Sequence, residues 1–270
     1  MIHFVCVATE NKLYLPYLKQ LIPDLVILGM GIKWKGFVMK YELIIDYLKS
    51  LNDDDIVCFV DAYDILPTKN IIHLEDRFNE FMKKNPNVKM IIGSDKSNNI
   101  LSDIFGSYMF GNINGNSRLN GGQYIGYVKN ISYILNKIFD ITTFKDDQIE
   151  LTKYAINNPD DIHIDNVKHF FNVKTNPLIQ TKNNYDSCFL HANANGQLED
   201  FLLEEYNIIV PLNIKIQNYI MNIEGMCKKL KLYLGYIIDD SIKQINFTPQ
   251  YQENSNHPLI PPQTSCKSQD

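Results

Sequence analysis

No C-x-x-C pair occurs among the five cysteines, Cys6, Cys58, Cys188, Cys227 and Cys266. An odd and scattered set excludes dependence on a disulfide framework. Cys6, Cys58 and Cys188 sit inside apolar runs, where cysteine serves as a small buried hydrophobe. No apolar run approaches the length of a membrane span. There is no basic excess: 26 Lys and Arg stand against 31 Asp and Glu, a net charge of −5. That argues against a general nucleic-acid binder, which shows a basic face. The start, Met1-Ile2-His3-Phe4-Val5, has no basic n-region and reads as a strand, so no signal peptide is evident. The sequons at Asn130 and Asn246 therefore matter only in a secretory lumen. Tryptophan occurs once, at Trp34, in the loop Gly29-Met30-Gly31-Ile32-Lys33-Trp34-Lys35-Gly36. This loop lacks the G-K-[ST] ending of a P-loop and the third glycine of a dinucleotide fingerprint.

What is present is an ordinary globular composition, 45% hydrophobic and 21% charged, and one strongly marked stretch. The apolar run Ile56-Val57-Cys58-Phe59-Val60 is followed at once by Asp61-Ala62-Tyr63-Asp64. Bounded by Asp53-Asp54-Asp55 and Pro67, the run predicts a buried strand of a parallel sheet. Ligands in open α/β sheets bind beyond the carboxyl ends of strands. Two carboxylates placed there repel unless a positive group lies between them. A hard divalent cation such as Mn2+ or Mg2+ meets that need and bridges to phosphates. Tyr63, between the acids, offers a flat face to a base. For an isolated D-x-x-D, a turn or helix cap is the commoner explanation.

The rest of the chain alternates. Strands are predicted over 2–8, 25–28, 56–60 and 88–93, with helices over 13–21, 39–51 and 73–84. The second of these helices carries Lys40 near its start. Residues 94–118 form a long polar loop, the length of a functional flap or a disordered segment. Leu119-Asn120-Gly121-Gly122-Gln123-Tyr124-Ile125-Gly126-Tyr127 reads as a glycine turn leading into a strand. A helix follows over 131–139. Asp146-Asp147-Gln148 opens another through Ile156, where both acids suit a helix N-terminus. Short strands are expected over 161–165 and 167–173. A last strand, Cys188-Phe189-Leu190, ends at His191, followed by Asn193, and a helix closes at 197–206. The alternation predicts an α/β sheet with mostly parallel strands. Three segments are expected: a domain over 1–210, an extension over 211–247 that is a candidate homodimer contact, and a Pro-, Gln-, Asn- and Ser-rich tail over 248–270.

In this order and spacing, Asp61-Ala62-Tyr63-Asp64, the Leu119–Gly126 stretch, Asp146-Asp147-Gln148 and His191 with Asn193 resemble the glycosyltransferase domain of the multifunctional procollagen lysyl hydroxylases. The resemblance covers about three quarters of the chain; the hydroxylase domain of those enzymes has no counterpart here. It implies a GT-A fold, a UDP-sugar donor and Mn2+. It implies further that Asp61, Asp64 and His191 ligate the metal and that Tyr63 stacks on uracil. By the same resemblance Trp34 covers the nucleotide, and Thr9, Lys40 and Asn193 approach the donor. Asp146 and Asp147 then face the transferred sugar or the acceptor. The implied reaction moves glucose from UDP-glucose to galactosylhydroxylysine of a collagen-like glycopeptide, with retention. Transfer of galactose to hydroxylysine, or a silent UDP-sugar- or collagen-binding scaffold, are the other readings. The chain departs from the family pattern at Gln123, where the family has glycine, and at Ala192, Ala194 and Gln197. The last of these replaces a phosphate-contacting lysine.

Overall fold

The computed structural model describes residues 1–95, 106–107, 110–113, 117–140, 144, 146–173, 185–192, 198–217 and 219–220. Most of the expected elements are present with shifted ends. They are strands β1 (Ile2–Val7), β2 (Val26–Leu28) and β3 (Ile56–Val60), and helices α1 (Leu15–Leu21), α2 (Phe37–Leu48) and α3 (Leu74–Lys84). Then come β4 (Ile65–Pro67), β5 (Met90–Ser94), β6 (Leu119–Tyr127), α4 (Val128–Ile138) and α5 (Asp147–Asn157). Strands β7 (Ile162–Asp165), β8 (Phe171–Val173) and β9 (Phe189–His191) and helix α6 (Glu199–Tyr206) complete the series.

Six strands form the main sheet in the order β2-β1-β3-β6-β5-β7. Pairings β1–β2, β1–β3 and β5–β7 are parallel, while β6 runs antiparallel to both β3 and β5. The expected α/β sheet is thus mostly parallel, with one reversed strand in its middle. The reason the strands read as unbroken apolar runs is visible in the packing. Side chains alternate between faces. On β3, Val57 and Phe59 join a core that includes Tyr41, Ile44, Ile131 and Leu151 from α2, α4 and α5. Ile56, Cys58 and Val60 join a second core that includes Leu15, Leu18, Phe78 and Phe189. Both faces are covered, so no polar alternation is left to read.

Two expectations are corrected. The glycine-rich stretch after Arg118 is not a turn before a strand. All of Leu119–Tyr127 is strand, with an irregularity where β5 pairing jumps from Tyr124 opposite Ile92 to Asn120 opposite Gly93. The strand expected over 167–173 is confined to Phe171–Val173. Val167 is exposed and Lys168 has φ +59°, and the Asp165 carboxylate gathers the N–H groups of His169, Phe170 and Phe171 into a turn.

A second, three-stranded sheet, β4-β9-β8, was not expected. Its central pairing is antiparallel, with Ile65 opposite His191 and Pro67 opposite Phe189. Thr68 clips it shut: its N–H donates to the Cys188 carbonyl at 2.9 Å and its hydroxyl to the Ser187 carbonyl at 2.5 Å. After α6, residues 212–217 are helical. The greater part of the expected extension, and the whole expected tail, lie outside the described residues. No described helix is long and apolar enough to cross a membrane.

Candidate functional site

Asp61 begins where β3 ends. Its N–H donates to the Gly122 carbonyl at 2.7 Å, which holds the start of the Asp61–Asp64 turn against β6. Asp64 immediately precedes β4, and the Ala192 N–H donates to its carbonyl at 2.8 Å. Because Ile65 pairs with His191, the imidazole is carried to the Asp64 side chain, with Nε2 3.3 Å from Oδ2. Ligand atoms of Asp61, Asp64 and His191 all lie within 4.8 Å of one another.

Three observations bear on whether this group suits a cation. His191 is 2% exposed; among the described residues Nδ1 has no hydrogen-bond partner, and Nε2 has only the Asp64 carboxylate 3.3 Å away, without an aligned bond; a buried imidazole left so is costly unless something coordinates it. Two carboxylates and one imidazole are the oxygen-rich donor set that suits Mn2+. Finally, the backbone leaves room. A Cβ added at Gly122 would fall on Asp61 Oδ2 and lie 3.0 Å from His191 Cε1, so a side chain there would displace both groups. The residues fit the metal.

The electrostatics follow from the packing. Burial pushes the Asp61 carboxyl up, against the pull of Lys40 and His191, and Asp64 and Asp147 push it further. Burial lowers the His191 pKa, but the Asp64 carboxylate beside Nε2 outweighs it. With Asp61 and Asp95 also contributing, the value ends above 6.5.

Lys40 lies in the first turns of α2 and is 4% exposed. Its ammonium donates to Asp61 Oδ1 at 2.9 Å and to Asp147 Oδ2 at 2.7 Å, and lies 4.7 Å from the centre of the Phe59 ring. Burial opposes its charge, but the two carboxylates prevail and its pKa ends far above the usual value. Asp147, the first residue of α5, is itself buried. Its neighbour Asp146 caps that helix, accepting from the Ile149 N–H at 3.1 Å. Burial and the Asp147 charge raise the Asp146 pKa. The acidic pair thus divides into a cap and a carboxylate tied through one ammonium to the Asp61 group.

Tyr63 is pinned by its hydroxyl, which accepts from the Thr9 and Glu10 N–H groups and donates to the Glu10 carbonyl, each at 3.1 Å. The Lys12 ammonium stands 5.3 Å from its ring centre. Thr9 also accepts from the Gly31 N–H at 3.0 Å, which docks the glycine loop onto the end of β1. Trp34 is 46% exposed and packs edge-on to Phe37. Gly36, with φ +95°, turns the loop into α2. Asn193 and Gln197 lie outside the described residues. Two participants had no role assigned from the sequence. Gly122 forms the floor, and Asn120 accepts its N–H at 2.9 Å. The Lys40–Asp147 bond joins two sequence motifs. The doublet Gly121-Gly122 was the one signal for the floor. Gln123, at a family glycine position, is buried, with both amide atoms unpartnered among the described residues, and packs over Gly93.

A mostly parallel α/β sheet carrying an Asp-Asp-His group at a strand end is the arrangement of a GT-A glycosyltransferase. The chain belongs to the PLOD GT domain family, whose profile matches residues 2–230. Among solved structures, the galactosyltransferase LgtC, in complex with donor and acceptor sugar analogs, is 11% identical, with a TM-score of 0.44 over 80% of this chain and 99% of that one. Mouse xyloside xylosyltransferase 1, apo form, is 14% identical with a TM-score of 0.40, over 59% of this chain and 65% of that one. A197 from STIV is 14% identical with a TM-score of 0.36, over 56% and 76%. Comparison with curated protein sequences found no match.

Proposed function

We propose that the chain transfers glucose from UDP-glucose to galactosylhydroxylysine of a collagen-like glycopeptide, using Mn2+. The observation that carries this reading is the convergence of Asp61, Asp64 and His191 over Gly122, in a chain of the PLOD GT domain family. These three side chains would hold the metal, which supplies charge neutralisation to a departing diphosphate.

The chain's own residues do the rest. Tyr63, with its hydroxyl committed to the loop after β1, presents a fixed ring to uracil. Thr9 holds the glycine loop in place, and exposed Trp34 folds over the nucleotide. Asp147 is the working carboxylate. It is one ammonium away from Asp61, where it stabilises positive charge developing on the sugar or orients the acceptor hydroxyl. Asp146 supports it by capping α5. Lys40 binds both acids and holds the Asp147 carboxylate in place between turnovers.

The test is a donor-by-acceptor assay with the full chain and Mn2+. UDP release and a one-hexose gain in peptide mass are expected with UDP-glucose and galactosylhydroxylysine peptide, and both are expected to stop on chelation. Turnover only with UDP-galactose and hydroxylysine peptide would replace this reading by galactose transfer. UDP and Mn2+ binding without turnover on either acceptor would leave a scaffold.

A further inference from the structure

The two oxygens of Asp61 face different neighbours. Oδ2 lies over Gly122, on the side of the His191 ring. Oδ1 accepts from the Lys40 ammonium at 2.9 Å. One carboxylate of the Asp-Asp-His group is therefore shared with a lysine. A lysine is an unfavourable neighbour for a cation site, because two positive charges on one carboxylate repel. Water offers the ammonium no escape. The Lys40 side chain is 5% exposed, and its nitrogen lies 4.7 Å from the centre of the Phe59 ring.

Asp147 changes the balance. Its Oδ2 accepts from the same ammonium at 2.7 Å, a shorter bond than the one to Asp61. Its side chain is 10% exposed, so the pair is screened little by solvent. With the His191 ring neutral, Asp61, Asp64 and Asp147 carry three negative charges and Lys40 one positive charge, which together match a divalent cation. Two other acids that act on this cluster have positive partners of their own. Asp146 accepts from the Ile149 N–H at the start of α5, and Asp95 faces the Arg118 guanidinium, with Oδ2 4.0 Å from Nε. Without Asp147, the buried ammonium would be set against the metal with only Asp61 to share between them.

We propose that Asp147, from outside the ligand set, sets the affinity of the Asp61–Asp64–His191 group for its cation by drawing the charge of Lys40 away from Asp61. The inference rests on the reading of that group as a metal centre, and not on which sugar is moved. Such coupling is reciprocal. A cation at Asp61 drives the ammonium toward Asp147 and tightens the bond that holds the working carboxylate. A ligand that occupies Asp147 returns the ammonium to Asp61 and loosens the cation. Lys40 is the positioning residue through which the two sites act on each other.

A double-mutant cycle read by calorimetric Mn2+ titration of the full chain tests this without turnover. Asp147→Asn is expected to weaken Mn2+ binding about tenfold, as loss of an outer-shell partner does. In a Lys40→Met background the same change is expected to alter Mn2+ affinity by less than about twofold, because no buried ammonium is left to neutralise. Lys40→Gln, which keeps an amide donor between the acids, is the second uncharged background should Lys40→Met fail to fold. Unchanged Mn2+ affinity in Asp147→Asn would overturn the proposal. So would an equal loss with and without the lysine, since Asp147 would then act on the cation directly. A wild-type chain that binds no Mn2+ would remove the metal reading and this inference with it. Mn2+ binding that ignores Asp147 would remove this inference alone.

Discussion

The His191 imidazole lies 3.3 Å from the Asp64 carboxylate because Ile65 and His191 are paired residues of a small antiparallel sheet. A strand pairing, not a loop, brings the nitrogen donor to the acids. The group is therefore held by backbone hydrogen bonds before any cation arrives, which favours a preorganised centre.

Removing a donor from this centre has a direct readout. His191→Ala and Asp61→Asn are each expected to weaken Mn2+ binding by about 100-fold or more, at the upper end of what even outer-shell changes cause. Calorimetric titration of Mn2+ checks this. A Tyr63→Ala control leaves Mn2+ affinity unchanged and weakens UDP.

Two glycines of β6 separate site from fold. Gly122→Ala places a methyl group on Asp61 Oδ2 and the His191 ring; a loss of Mn2+ affinity of about tenfold or more is expected. Gly126→Ala places its methyl 2.6 Å from the Lys89 carbonyl and 2.8 Å from Ile131 Cδ1, away from the acids. It is expected to cost about 1–3 kcal/mol of stability with metal binding intact. Urea melts and Mn2+ titrations on both variants distinguish the two effects.

Lys40→Met strands a buried carboxylate. Removing one partner of a buried pair costs about 3–5 kcal/mol, and the lower figure is expected because Asp61 keeps about a third of its side chain in solvent. Adding Asp147→Asn is expected to recover part of that loss. Chemical denaturation of the single and double variants measures both.

The pH dependence has a definite sign. The folded His191 pKa is raised above 6.5. In the metal-free protein its pairing with Asp64 therefore stabilises fully below pH 6.5 and fades as pH rises through the folded value. Mn2+ needs the neutral ring, so its affinity is expected to rise with pH over the same interval. Melting curves and Mn2+ titrations between about pH 5.5 and about 8.5 follow both trends, and His191→Gln is expected to flatten them.

Much of the fold was legible. Strands β1 and β3 and helices α2 and α3 follow from apolar runs and helical spacing, because both faces of the sheet are covered. β4 was hidden: three residues, Ile65-Leu66-Pro67, ending in a proline, carry no strand signal of their own and exist by pairing with β9. The reversal of β6 was hidden too, since strand direction leaves no mark in local sequence. In the site, the strand-end acids stood out, while Lys40 could be placed near the donor but not between Asp61 and Asp147. That bond joins α2 to α5 across the core and depends on how the two helices lie on the sheet.

By itself the sequence determined that a buried strand ends in two acids, that helices and strands alternate around it, and that an imidazole and a second acidic pair occur at element ends. These are properties of short segments, set by side-chain polarity and spacing. Only the tertiary structure decided that Asp61, Asp64 and His191 converge, that Gly122 leaves the space they need, and that Lys40 binds Asp147. Such distances come from strand pairing and helix packing between segments far apart in the chain, and no local pattern encodes them.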